Sequence, residues 1–237
     1  MLLAIDTSTS QIGMALHNGA QVLAETLWTS KARHTVELAP SVDEMLLHAG
    51  VNIQQVLALG VAIGPGSFTS LRVGLSFVKG LAFARNLPVI GINTLDILAA
   101  GQPTKSGMTL LCTLPAGRGR LAIERYTCQN NDNTAWKSEN APIILTAAAL
   151  SETVTQSTII CGDFTAIEQQ VLKKNTFIQL ASPASGVRRP AILAELAIQR
   201  WQAGDVDEVT TLAPQYLHLA EPIPASTPGT QISSMRG

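Results

Sequence analysis

Two short stretches carry residue types that could do chemistry. Asp6-Thr-Ser-Thr-Ser10 is a carboxylate followed by hydroxyls, and Gly64-Pro-Gly-Ser-Phe-Thr69 is a glycine turn followed closely by Arg72. A carboxylate with short hydroxyls can hold a metal nucleotide. A glycine turn that feeds a helix start aims unpaired N–H groups at an anion, and a nearby guanidinium adds charge and a bidentate fork. Asp6, Thr7, Thr9, Gly64, Gly66, Ser67 and Arg72 therefore form the candidate phosphate or anion site. The same residues also have a plain structural use, because Asp and Ser cap turns, glycine turns corners, and a surface arginine joins a weak ion pair. Two sharper phosphate motifs fail. A P-loop needs Lys-Ser/Thr after its last glycine, where Ser67-Phe68 stands; a dinucleotide fingerprint needs a third glycine where Thr69 stands.

Other reactive side chains offer less. The four histidines, His17, His34, His48 and His218, have no pairing that suits a metal, and His34 and His48 read as solvated helix residues. Cys112, Cys128 and Cys161 are odd in number and far apart in the chain, with neither zinc nor disulfide spacing, which suits thiols in a reducing compartment. Lys plus Arg is 16 against 17 Asp plus Glu, so no basic surplus drives autonomous RNA binding; a partner would supply much of that grip. With 46% hydrophobic residues the 237-residue chain is globular, and no apolar run approaches a membrane span or a leader with a basic start. These features place it in the cytoplasm.

The elements that must position these residues follow in order. Leu2 to Ile5 is an apolar strand ending at Asp6, Ile12 to Leu16 a second, and Gln21 to Trp28 a third, with Asn18-Gly19 as a two-residue hairpin turn. Apolar spacing predicts a helix over 35–49, starting at or kinked by Pro40. Val56 to Ile63 is a strand, a helix opens at Ser67 or Thr69, Leu87 to Ile92 is a strand, and Asn93 or Thr94 caps a helix to Ala100. The linker 101–107 sets a boundary. A second unit follows, with strands at 108–114, 121–128, 158–162 and 176–180, a short helix at 166–173 and an amphipathic helix from Pro190. The expected lobes are 1–101, joined by a return helix 190–220, and a reduced 108–189. Residues 221–237 read as a loose tail, being rich in Pro, Ser and Gly.

Leu3-Ala-Ile-Asp-Thr-Ser-Thr9, Gly64-Pro-Gly-Ser-Phe-Thr69, Leu71-Arg-Val-Gly74, Pro88-Val-Ile-Gly91 and Ala213-Pro-Gln-Tyr-Leu217 together resemble the bacterial TsaB (YeaZ) family. The likeness is dense in the first lobe and near Tyr216, and thin over 109–185. It implies a two-lobed α/β fold of the actin-like ATPase (ASKHA) class. It also implies a non-catalytic scaffold and activator of the paralogue TsaD, which threonylcarbamoylates the adenosine beside the anticodon in tRNAs reading codons that begin with A. The implied partners are TsaD and the ATPase TsaE, with tRNA reached through the complex and a homodimer when TsaD is absent. The likeness implies no firmly held cofactor and leaves the complex interface open to ATP or ADP.

TsaD carries two histidines four apart after the equivalent of Ile92-Asn93; here Thr94 and Leu98 stand there, so no catalytic residue and no metal site is assigned. Two departures from the family stand out: Ser70 where glycine is usual, and Pro115-Ala-Gly-Arg-Gly-Arg120 where an acidic turn is usual. The rival reading is a phosphotransferase of the same fold using Asp6, Thr7 and Thr9, with Asp163 its one poor candidate for a second-lobe acid. The helix after Thr69 is apolar nearly all round, which one core face does not require. Val42, Met45, Leu46, Gly74, Phe77, Val78 and Leu81 are accordingly the expected partner interface, and Val78→Arg is expected to abolish pairing while the monomer stays folded.

Overall fold

A computed structural model describes residues 1–104, 107–128 and 135–217. β1 (Leu2–Asp6), β2 (Gln11–His17) and β3 (Val22–Thr29) form an antiparallel meander, and β4 (Ala58–Gly64) and β5 (Val89–Asn93) add parallel to β1, giving the order β3-β2-β1-β4-β5. Strands covered on both faces must be apolar throughout. Alternate residues of β1 bear this out: Leu3 and Ile5 face α1 (His34–His48) and α2 (Phe68–Arg85), while Leu2 and Ala4 face α6 (Pro190–Gln202). Leu193, Ala194 and Ala197 of α6 are fully buried on that second face. Each large apolar side chain so covered contributes about 1.5–3 kcal/mol relative to exposure.

The second sheet repeats the plan. β6 (Thr109–Pro115) and β7 (Arg120–Thr127) make an antiparallel hairpin, and β10 (Thr158–Gly162) and β11 (Ile178–Leu180) add parallel to β6. The order β7-β6-β10-β11 thus matches β2-β1-β4-β5. This duplicated unit, with the same strand order in both sheets, is the topology of the actin-like ATPase fold. Between the sheets lies α3 (Thr94–Ala100), which sends Ile97 into the first core and Leu95 and Leu98 into the second.

Several local expectations change. Asn18-Gly19 is not a two-residue turn: the loop runs from Asn18 to Gln21, because the Asn18 Oδ1 accepts from the N–H groups of Ala20 and Gln21. Pro40 lies inside α1, so of its two alternatives the one that starts the helix there is ruled out. His34 is buried, with Nε2 3.0 Å from the Thr9 carbonyl, rather than solvated. The helix of the return segment 190–220 is Pro190–Gln202, closed before Gly204, and the described residues after it, to 217, are not helical. Sequence periodicity also missed β8 (Lys137–Ser138), β9 (Ile143–Thr146) and α4 (Ala147–Thr153), which are too short to carry a period of their own. Cys112 and Cys161, distant in the chain, sit in register on adjacent strands with their sulfurs 3.4 Å apart. The proline-rich segment 221–237 lies outside the described residues.

Candidate functional site

Asp6 ends β1 at the junction of the two lobes and is almost wholly buried. Its Oδ1 accepts from the Ser8 N–H (2.7 Å) and the Ser8 hydroxyl (2.6 Å). Its Oδ2 accepts from Nε of Arg188 at 3.2 Å. The rest of that guanidinium is also engaged: Nη1 is 3.4 Å from Oδ2 of Asp163, and Nη2 donates to Thr9 Oγ1 (2.5 Å) and Gln11 Oε1 (3.4 Å). Asp163 follows β10 of the second lobe, so one side chain that is 1% exposed ties the second-lobe carboxylate to the first-lobe hairpin. A buried charge is tolerable only when paired and hydrogen-bonded, and Arg188 meets both conditions. It also supplies the positive charge that a metal nucleotide would bring to Asp6.

The glycine turn is likewise spent on the chain itself. The Ser67 N–H donates to the Ser8 carbonyl at 2.7 Å, and a Cβ on Gly66 would collide with that same carbonyl. The Gly64 N–H donates to Thr94 Oγ1 at 3.1 Å. A Cβ on Gly64, whose φ is +116°, would meet the Gln215 carbonyl. Thr7 donates to the Ser70 carbonyl at 2.7 Å, and its side chain fills the space where Gly74 lacks one. Thr7 and Gly74 therefore fix the contact between the first hairpin and α2, and Gly64 fits the turn against Thr94 and the Gln215 backbone, which corrects the reading of Thr7 and Gly64 as anion ligands and of Gly74 as interface. Only Thr9, Gly66 and Ser67 of the candidate set line the interlobe cleft, a cavity of about 940 Å³ with Asp163, Phe68, Leu114 and Tyr216 on its walls. Its lining is mainly apolar, which suits a triphosphate poorly.

Arg72 lies elsewhere. Its guanidinium stacks on Phe68, with Cζ 3.8 Å from the ring centroid, and Nε donates to the Tyr216 hydroxyl at 3.0 Å. No carboxylate pairs with it among the described residues, so the simple surface ion pair is not what holds it. It borders a groove of about 440 Å³ between α1 and α2, together with Ala39, Ser76 and Phe77.

The expected interface needs the larger correction. Val78 is 0% exposed, and Val42, Met45 and Leu46 are buried beside it in the core under the first sheet. Phe77 and Leu81 are half-buried against that core. Val42, Met45, Leu46, Gly74 and Val78 are therefore not available to an outer surface, while Phe77 and Leu81 keep part of theirs at its edge. Outward instead point Val36, Ala39, Asp43 and Leu47 on α1, and Thr69, Arg72, Ser76, Gly80 and Phe83 on α2; Leu47 is 77% and Phe83 63% exposed.

The positions that would carry metal-binding histidines are committed to structure. Thr94 holds the Gly64 amide, Leu98 is buried in the second core, and the described residues contain no cluster of three His, Cys, Asp or Glu side chains that could hold a metal ion. Under α3, the Tyr126 hydroxyl donates to Asp96 at 2.8 Å and Ser138 to Glu124 Oε1 at 2.5 Å. Burial pushes both carboxyls above their ordinary range, with the donated hydrogen bonds pulling the other way.

A family model described as TsaD, tRNA N6-adenosine threonylcarbamoyltransferase, matches residues 21–217. The tRNA threonylcarbamoyladenosine biosynthesis protein TsaB of Escherichia coli is 33% identical over 65% of this chain and 66% of its own length. TsaB of Bacillus subtilis is 28% identical over 93% of this chain and 95% of its own. The chain belongs to this family, in its TsaB branch. The solved structure of YeaZ from Pseudomonas aeruginosa covers 91% of this TsaB-family chain and 99% of its own, at 25% identity and a TM-score of 0.70. Sequence reasoning missed Arg188, because Arg188-Arg189 before a proline reads as an ordinary charged helix approach and its acidic partners lie far away in the chain.

Proposed function

We propose that this TsaB-family chain acts in tRNA threonylcarbamoyladenosine biosynthesis as a cytoplasmic, non-catalytic partner of a TsaD-type transferase. The observation that carries the reading is Arg188, whose guanidinium occupies the space between Asp6 and Asp163 where an active member of the fold would need a metal nucleotide. The same arginine speaks against a phosphotransferase built on Asp6, Thr7 and Thr9. Nucleotide, on this reading, acts where TsaD or TsaE meets the complex and not in the Asp6 cleft.

The docking face is the outer side of α1 and α2. Gly80 supports it: it sits mid-helix with ordinary backbone and open space where a Cβ would be, so the monomer gains nothing from glycine there. An exposed mid-helix glycine costs roughly 1 kcal/mol relative to alanine, and close approach by a second helix is a reason to keep it. Arg72, held by Phe68 and Tyr216, is the kind of pre-ordered anchor that carries binding energy at interfaces. A second copy of the chain would use the same face when TsaD is absent. The test is reconstitution of threonylcarbamoyl transfer to tRNA with TsaD and TsaE, with this chain present, absent, or carrying Gly80→Arg. Transfer is expected only with the unaltered chain. Full transfer without it, or with Gly80→Arg, defeats the proposal.

A further inference from the structure

The turn Pro115-Ala-Gly-Arg-Gly-Arg120, which departs from the family's acidic pattern, has no part in the reading above. Arg120 opens β7 and lines a second cavity of about 850 Å³, bounded by Pro65 and Asn93 of the first lobe, β9 of the second, and Tyr216. It is the only charged residue among the lining residues. Its Nε is buried without a hydrogen-bond partner, and no carboxylate pairs with it among the described residues. Arg33, Arg125, Arg188, Arg189 and Arg200, by contrast, each lie against a carboxylate. With no carboxylate of the described chain to meet it, the charge that Arg120 brings to the cavity lining is left for an anionic ligand to balance.

The remaining lining narrows the ligand. Asn93 uses Oδ1 to cap α3, which leaves its amide N–H groups to donate. Pro142, Ile144 and Leu145 make much of the rest apolar. One guanidinium fork with neutral donors matches a single planar negative charge, while an apolar wall does not solvate the second charge of a phosphate. The volume lies in the range of small-molecule sites.

We propose that this cavity binds a small organic carboxylate with an apolar body, its charge met by Arg120. The inference does not depend on the partner role proposed above.

The full chain would be titrated with hexanoate, phenylacetate and indole-3-acetate, with the primary amide of each, and with inorganic phosphate, by ligand-observed NMR. At least one carboxylate is expected to saturate at millimolar concentration or below and to bind about tenfold or more tightly than its amide. Arg120→Gln should lose that binding by a similar factor, and Arg120→Lys, which keeps the charge but not the fork, should retain part of it. Circular dichroism would verify that both variants are folded, and the acid-to-amide comparison on the unaltered chain stands even where a variant does not fold. Absence of saturation by all three acids, equal binding of acid and amide, unchanged binding by folded Arg120→Gln, or phosphate binding as tightly as the acids would each overturn the assignment.

Discussion

Removing the Arg188 guanidinium would leave Asp6 buried with one oxygen unmatched and would cut the link from the first lobe to Asp163. Breaking a buried pair by deleting one partner is strongly destabilising, because the remaining charge keeps its desolvation cost and loses its compensation. Arg188→Ala is therefore expected to lower unfolding free energy by about 3–5 kcal/mol, read from urea midpoints at unchanged m-value. Asp6→Asn in the same background should recover part of the loss, since a neutral amide is cheaper to bury. A single variant as stable as the parent would mean that solvent, not the guanidinium, satisfies Asp6.

For the helix pair, the distinction between core and surface separates three substitutions on one element. Val78→Arg places a charge in the core under the first sheet and should leave no folded monomer to assay, contrary to the expectation from sequence. Gly80→Ala adds a methyl group into open space and should raise monomer stability by roughly 1 kcal/mol through helix propensity. Should a partner helix lie against Gly80, that same methyl group must weaken pairing. Thermal unfolding of the isolated chain together with sedimentation of its mixture with TsaD checks both signs. A methyl group that stabilises the monomer and leaves pairing intact would move the docking face away from Gly80.

Across the whole molecule, the lobes are joined by Arg188 and by α3, whose Asp96 accepts from Tyr126 beside Glu124 and Cys112. Burial raises the Glu124 carboxyl from its ordinary 4.5, so the folded chain holds this proton more tightly than the unfolded chain does. More protons bound in the folded state means that stability falls as pH rises from the ordinary value through the raised one. Glu124→Gln removes the titration, keeps an acceptor for Ser138, and is expected to flatten that fall and stabilise the chain at neutral pH. The slope removed is at most about 1.4 kcal/mol per pH unit. Urea unfolding at a series of pH values is the measurement, and an unchanged slope would assign the fall to other groups, Asp96 first.

By itself the sequence determined the order of the longer elements, the two related halves and the caps to within two residues, because these rest on local chemistry. Apolar runs of strand length, Ser67 and Asn93 before helices, and Pro190 at a helix start each act within a few residues. Which residues of α1 and α2 face outward was decided only by the tertiary structure. Their apolar pattern is broad enough to fit several orientations, and contact with the sheet selected the one that buries Val78 and leaves Gly80 bare. The cleft was decided there too. Asp6 and the glycine turn announced themselves by type and spacing, but the groups that engage them, Arg188, Ser8 and Thr94, come from other elements. An arginine's charge has no periodicity, and only the closing of one lobe on the other brings it to the two carboxylates that fix its use.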